Sequence, residues 1–350
     1  MKNRKKVLIT GVTGQAGSIM TDYLLENTDN IIVGGIRRLS VDNHKNIEHL
    51  KDNDRFRLID LDVTDHINVE KVIREEQPDY FINFAANSFV GNSWDMPINH
   101  MQTNFLPVIY QLEAIRKHAP DCRYLNAGSS EEFGDVDYSP QDINHPQKPR
   151  SPYGVSKCAA RNAVKVWRES YGLYAVQPYM FNYESERRGH EFVTRKITLN
   201  VTRIAKEVQK GIEVIPVELG NLDARRDWSY CLDTMLGVWL MLNQEKPKDY
   251  VLASGETHSI RNFVEAAFEA VSIKGVWHGE GVNEQYLLSE DGTLATKKAV
   301  TLVKINPDFY RPCEVELLLG DSTPARKELG WKPRTSFKEL VKKMVKEDMK

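Results

Sequence analysis

A short apolar run, Lys6–Thr10 (KVLIT), leads directly into Gly11-Val-Thr-Gly14-Gln-Ala-Gly17. A stretch with helical spacing, residues 17–26, opens on the last of those glycines. Glycines at intervals of three let the backbone turn sharply and come close to another group. A strand that ends there and a helix that begins there make the first unit of an α/β sheet. The N-terminus of that helix is left open to an anion such as a pyrophosphate. A tight turn alone would also explain three glycines, so the pattern of the next hundred residues decides between the two.

That pattern is alternation. Residues 31–36, 56–60, 80–86 and 123–127 are short runs rich in apolar or β-branched side chains, as expected of strands buried on both faces. Helical patterns lie between them, at 68–76 and 105–117, and a further helix at 153–171 leads to a strand at 174–181. The order predicts a doubly wound parallel Rossmann sheet. After Asn182 the texture becomes charged and less regular, and residues 250–253 read as a strand returning to the sheet. Residues 260–271 and 336–349 carry apolar side chains at helical spacing, as core-facing surface helices do. The expected division is a dinucleotide-binding domain over 1–182, with returning segments near 222–256. A smaller, mixed C-terminal substrate-binding lobe takes 183–221 and 257–350.

Composition narrows the function. The 350 residues carry 47 Lys+Arg against 49 Asp+Glu, a net charge of −2. That balance does not suit a chain that coats nucleic acid or an anionic membrane. No window holds the roughly 18 uninterrupted apolar residues of a membrane span, and the N-terminus shows no secretory pattern. Cys122, Cys158, Cys231 and Cys313 are scattered, with no CxxC pair, so neither a disulfide framework nor a metal site is expected. Reduced thiols in a cytoplasmic protein are the expectation, and the Asn200-Val-Thr202 sequon is read as chance.

The second predicted strand ends in Arg37-Arg38-Leu-Ser40. An acid there would favour the ribose hydroxyls of NAD. Two arginines and a serine suit a 2′-phosphate, and so NADP. Asp62 and Val63, after the third strand, are placed to meet the adenine edge. Ala85 and Ala86, after the fourth, leave room for the cofactor backbone.

Tyr153 and Lys157 are four residues apart and share one helix face. A cation beside a phenol lowers the phenol's pKa, so Tyr153 is expected to take a proton from a substrate hydroxyl near neutral pH. Ser129, in Gly128-Ser-Ser-Glu-Glu-Phe-Gly134, can hydrogen-bond the same hydroxyl. Glu131 offers a carboxylate that simple hydride transfer does not need but abstraction of a carbon-bound proton does. Glu132 comes directly after it. If the strand continues, side-chain alternation points Glu132 away; if the strand has ended, two acids compete for the same role.

These residues resemble the extended short-chain dehydrogenase/reductase family and, within it, the GDP-mannose 4,6-dehydratases. GVTGQAGS, the Arg37-Arg38 turn, SFVGNSWDMP, GSSEEFG, RSPYGVSK, MFNYESERRGHEFVTRKI, GNLDARRDW and RPCEVELLLGDSTPARKELGWKP carry the likeness across most of the chain. The resemblance implies a catalytic set of Ser129, Glu131, Tyr153 and Lys157. It implies NADP contacts at Gly11, Gly14, Gln15, Arg37, Arg38, Asp62, Val63 and Ala85, with Ser88, Tyr153 and Lys157 on the nicotinamide side. For the sugar-nucleotide pocket it implies Asn182, Glu184, Arg188, Thr194, Lys196, Asn221, Arg226, Arg311 and Glu314. Where that family has Met or Leu, this chain has Glu132. Ala16, Asn87, Tyr183 and Cys313 also depart from its pattern, and Tyr183 and Cys313 flank the expected pocket.

The implied reaction is an internal redox cycle on a GDP-sugar, GDP-mannose or a GDP-manno-heptose. It comprises oxidation at C4, loss of water across C5 and C6, and reduction at C6. The implied assembly is a homotetramer or homodimer. An NADP-dependent epimerase or reductase on the same fold is the alternative enzyme; it would have no use for Glu131. A cofactor-binding protein without catalysis is the non-enzymatic alternative, and the intact Ser129, Glu131, Tyr153 and Lys157 speak against it.

Overall fold

The KVLIT run forms β1 (Lys6–Thr10), and its last four side chains are all buried. The computed structural model describes residues 4–290, 293–294, 300–310, 315 and 317–350. From β1 the chain passes through α1 (Gln15–Asn27), β2 (Ile31–Ile36), β3 (Phe56–Asp60), α2 (His66–Glu76) and β4 (Tyr80–Asn83). It continues through α3 (Pro97–Asn104), α4 (Leu106–His118), β5 (Arg123–Asn126), α5 (Pro152–Tyr171) and β6 (Ala175–Val176). The strands align in parallel in the order β3-β2-β1-β4-β5-β6. The order reverses between β1 and β4, and in open α/β sheets ligands bind at the carboxyl ends of the strands beside such a switch point.

Both faces of the sheet are covered at its centre, which is why β1 and β2 read as continuous apolar runs. Val7 and Ile9 of β1 face α1 and α7 (Cys231–Leu242), whose Met20, Leu24, Met235 and Val238 are fully buried. Leu8, between them, points the other way, into a core with Ile73 of α2, Leu112 of α4 and Ala160 of α5.

Two local differences from the sequence expectations have clear causes. The strand expected over 174–181 is broken into β6 and β7 (Tyr179–Met180). Pro178 has no N–H to donate. The Gln177 N–H goes to Asp249 Oδ1 at 2.7 Å, and its carbonyl accepts from Arg161 at 2.6 Å. Helix α3 has no counterpart among the expected helices, because PINHMQTN has no apolar stripe. Pro97 starts it, and the residues it buries are His100 and Asn104.

Beyond β7 come β8 (Asn182–Glu184), α6 (Val193–Lys210), β9 (Val217–Leu219), β10 (Arg225–Arg226) and β11 (Trp228–Tyr230). After α7 come β12 (Val251–Leu252), β13 (His258–Ser259), α8 (Ile260–Ala270), β14 (Gly275–His278), β15 (Gln285–Glu290), β16 (Thr293–Leu294), β17 (Thr301–Ile305), α9 (Thr323–Glu328) and α10 (Phe337–Met349). Strand β12 pairs in parallel with β7, and β8 with β11. A second mixed sheet runs β14-β15-β17-β9, with β16 on β15. Helices α6, α8 and α10 close over it through Ile197, Val201, Phe263, Phe268, Leu340 and Met344. Ser259 and Ser336 cap α8 and α10, each by a reciprocal hydrogen-bonded box. Among the described residues, no helix is long and apolar enough to cross a membrane.

Candidate active site

The glycine turn after β1 is built so that only glycine fits. Gly11 has φ +65°, and a Cβ on it would lie 2.8 Å from the Ala85 nitrogen. A Cβ on Gly17 would lie 2.3 Å from the Gly11 carbonyl oxygen. Helix α1 starts at Gly14 without a side-chain cap or an acid in its first turn, which leaves its first N–H groups open to an anion. The arrangement fits the pyrophosphate of a dinucleotide. Arg37, Arg38 and Ser40 are exposed just beyond β2. Asp62 accepts from the Thr64 N–H (2.9 Å) and hydroxyl (2.7 Å), and Val63 beside it is buried. The Ala85 N–H donates to Thr10 Oγ1 at 3.3 Å. The side chain of Gln15 is committed elsewhere. It donates to the Tyr183 carbonyl (3.0 Å) and accepts from Ser185 Oγ (2.7 Å). That amide ties α1 to β8.

Ser151 caps α5 by accepting from the Gly154 N–H at 3.0 Å, and Pro152 opens its first turn. That puts Tyr153 at the second helical position, facing the end of β5. Ser129 lies within hydrogen-bonding reach of the Tyr153 hydroxyl. One helical turn on, Lys157 lies behind the tyrosine, its Nζ 5.8 Å from the ring centroid and donating to the Ala127 carbonyl at 2.8 Å. The electrostatics differ from the sequence expectation. Burial pushes the Tyr153 phenol well above its ordinary pKa, the Ser129 hydrogen bond pulls it back, and the carboxylates of Glu131 and Glu132 push it up again. Burial also pulls Lys157 down to about 8, against a nearby Glu132. A tyrosine poised as phenolate by Lys157 alone is therefore not what the isolated chain presents.

The two adjacent acids separate, for a different reason from strand alternation. Strand β5 ends at Asn126, and residues 130–132 form a single 3₁₀ turn capped by Ser129. Ser129 Oγ accepts from the Glu131 N–H at 3.2 Å, and Glu132 Oε1 accepts from the Ser129 N–H at 2.8 Å. Glu131 reaches the cavity, whereas Glu132 turns inward and pairs with Arg161 at 2.5 Å. Arg161 and Glu132 belong to a buried polar chain beneath the site. It runs Thr10–Asn83 (2.6 Å), Asn83–Asn126 (2.8 Å), Asn126–Gln177 (2.7 Å) and Gln177–Glu132 (3.1 Å), across the ends of β1, β4 and β5 to the break after β6.

A cavity of about 570 Å³ opens in front of Tyr153. Ser88, Ser129 and Glu131 line it on the sheet side. Asn182, Glu184, Arg188, Thr194, Lys196, Asn221 and Arg226 line it on the other. Glu184 is buried, pairs with Arg188 at 3.1 Å and accepts from Thr194 Oγ1 at 2.7 Å. Burial raises its carboxyl pKa, while Arg188 and Thr194 oppose the shift. Burial lowers the pKa of Lys196, whose ammonium sits 4.0 Å from the Phe309 ring centroid. Arg226 is largely buried and donates to the Arg225 carbonyl at 2.9 Å. Asn221 Oδ1 accepts from the Asp223 N–H at 2.9 Å. Arg311, Cys313 and Glu314 lie outside the described residues.

Sequence reasoning missed much of the wall. Phe89 and Phe192 meet edge to face with centroids 5.7 Å apart, and the Arg188 guanidinium lies 3.5 Å from the Phe192 centroid. Trp94, Phe181, Tyr183, Trp228, Phe309 and Tyr310 add to the aromatic lining. The signal was available in part, since Phe89 and Trp94 sit inside the SFVGNSWDMP motif. Phe309 and Tyr310 precede RPCEVE and carry no pattern of their own.

A family model described as GDP-mannose 4,6 dehydratase matches residues 8–344. The GDP-mannose 4,6 dehydratase of Drosophila melanogaster is 41% identical over 99% of this chain and 86% of that protein. The Sinorhizobium fredii GDP-mannose 4,6-dehydratase is 40% identical over 100% of this chain and 98% of its own length. Among solved structures, a Thermus thermophilus UDP-glucose 4-epimerase in complex with NAD superposes with a TM-score of 0.78 at 22% identity, covering 98% of each chain. At that identity it supports the fold alone, an extended Rossmann architecture. The sequence matches go further: this chain belongs to the GDP-mannose 4,6-dehydratase family.

Proposed function

We propose that this chain dehydrates GDP-mannose to GDP-4-keto-6-deoxy-mannose with a retained NADP. One observation carries the reading: Glu131, Ser129 and Tyr153 line the same cavity, so a carboxylate base and a hydroxyl-activating pair face one substrate. When bound, NADP supplies the hydride acceptor that takes hydrogen from C4 and returns it to C6. Gly11, Gly14 and the open start of α1 would hold its pyrophosphate, Arg37 and Arg38 its 2′-phosphate, and Asp62 and Val63 its adenine edge. Ser129 orients the C4 hydroxyl and Tyr153, backed by Lys157, removes its proton. The resulting 4-ketone acidifies the proton on C5. Glu131 takes that proton and gives it to the C6 hydroxyl, which leaves as water; a proton returns to C5 when hydride returns to C6. Arg188, Lys196 and Arg226 supply positive charge for the diphosphate.

The proposal divides the molecule as 1–182 with 222–256 for the cofactor, and 183–221 with 257–350 for the sugar nucleotide. It extends to a cytoplasmic homodimer or homotetramer, with a GDP-manno-heptose as the alternative substrate. The test is mass spectrometry of GDP-mannose incubated with the protein and substoichiometric NADP⁺. Loss of one water from far more sugar nucleotide than there is cofactor is expected. A product of unchanged mass would indicate an epimerase, and stoichiometric consumption of NADPH in a parallel incubation with the reduced cofactor would indicate a reductase.

A further inference from the structure

Glu132 is fully buried and is not among the residues lining the cavity, yet it accepts hydrogen bonds from four residues around the reaction centre. Its Oε1 accepts from the Ser129 N–H (2.8 Å), Gln177 Nε2 (3.1 Å) and a terminal nitrogen of Arg161 (3.3 Å). Its Oε2 accepts from Arg161 Nε (2.5 Å) and Gln147 Nε2 (3.2 Å). Related chains, by the resemblance read from the sequence, carry Met or Leu here. This chain has instead built a buried ion pair and a hydrogen-bonded shell around a carboxylate, an arrangement kept only where every lone pair finds a donor.

We infer that Glu132 is a positioning residue: its carboxylate fixes the turn that carries Ser129 and Glu131. Ser129 is held by its own N–H on Glu132, and the Glu131 N–H is held by Ser129 Oγ at 3.2 Å, so moving Glu132 moves both reacting side chains. The carboxylate is itself anchored from two further directions. Arg161 on α5 pairs with it, and Gln177 Nε2 donates both to it and to the Lys157 carbonyl at 3.0 Å. Asp249, at 3.8 Å, is a second acid near Arg161.

The inference rests on Ser129 and Glu131 acting as in the dehydratase reading, and the test separates the two. Glu132→Gln retains an oxygen for the Ser129 N–H; Glu132→Met removes it. The readouts are kcat and KM for water loss in the NADP⁺-loaded protein, with folding and cofactor binding checked by the thermal shift that NADP⁺ produces. Glu132→Met should lose at least about tenfold in kcat with KM for the sugar nucleotide near wild type. Glu132→Gln should restore most of that loss. Unchanged kcat in folded Glu132→Met overturns the inference, and so does an equal loss of kcat in folded Glu132→Gln. A wild-type protein that binds NADP⁺ but loses no water from GDP-mannose would instead refute the dehydratase reading.

Discussion

Two proton-handling groups of opposite kind meet on one wall of the cavity, and each should fail in its own way. On the proposed mechanism, Glu131→Gln removes the base for C5 and leaves Ser129 and Tyr153 at C4. Net dehydration is expected to fall roughly 10²–10⁴-fold, while the absorbance of reduced nicotinamide appears on adding GDP-mannose. Tyr153→Phe should fall comparably and show no such absorbance. A rapid-mixing spectrum of each variant checks both. On the same mechanism Lys157 sets the pH behaviour, since burial pulls its pKa down to about 8. Its support for a Tyr153 anion is therefore present on the acid side and lost as pH rises through 8, so kcat/KM should decline there. At this scale the sequence was readable where chemistry is local. Tyr153 and Lys157 are four apart on a helix, and Ser129 and Glu131 are two apart on a turn. It was not readable for Glu132, whose partner Arg161 is 29 residues away and whose direction depends on where β5 ends.

Elements carry the site into place through turns that tolerate little change. Gly17→Ala would drive a Cβ into the Gly11 carbonyl, and the obstacle is backbone that cannot step aside. The expected outcome is a loss of about 1–3 kcal/mol in stability, together with loss of the thermal shift produced by NADP⁺. Asp227, between β10 and β11, accepts from Ser254 N (2.7 Å), Gly255 N (2.9 Å) and Gly320 N (3.3 Å), with its carboxyl pushed up to about 6 by burial. Asp227→Ala would strand those donors. Denaturant unfolding should then show a loss of about 3 kcal/mol or more. β1, β2, β4 and the helices with an apolar stripe were legible because sheet burial writes itself into unbroken apolar runs. Helix α3 was not, since it faces α5 with His100 and Asn104 rather than with apolar side chains. The break at Gln177-Pro178 was hidden because it depends on Arg161 and Asp249.

Across the whole molecule, one cavity joins the carboxyl end of the parallel sheet to the mixed lobe, and its two sides were legible to different degrees. Periodicity and the glycine turn gave the sheet side. The lobe side, with Asn182, Arg188, Lys196 and Arg226, was reached only through resemblance, because single charged residues on irregular segments have no period to read. Ligand linkage tests the cofactor side. NADP⁺ at a hundred times its Kd should add about 2.7 kcal/mol to stability. The shift should exceed that from equal NAD⁺, with the difference abolished in Arg37→Ala/Arg38→Ala. The central claim is that hydrogen leaves C4 and returns to C6 of the same sugar without leaving the protein. GDP-mannose deuterated at C4 tests it most directly. The account expects a dehydrated product carrying the deuterium on C6. Deuterium retained at C4, or lost to solvent or to a free cofactor pool, would contradict it.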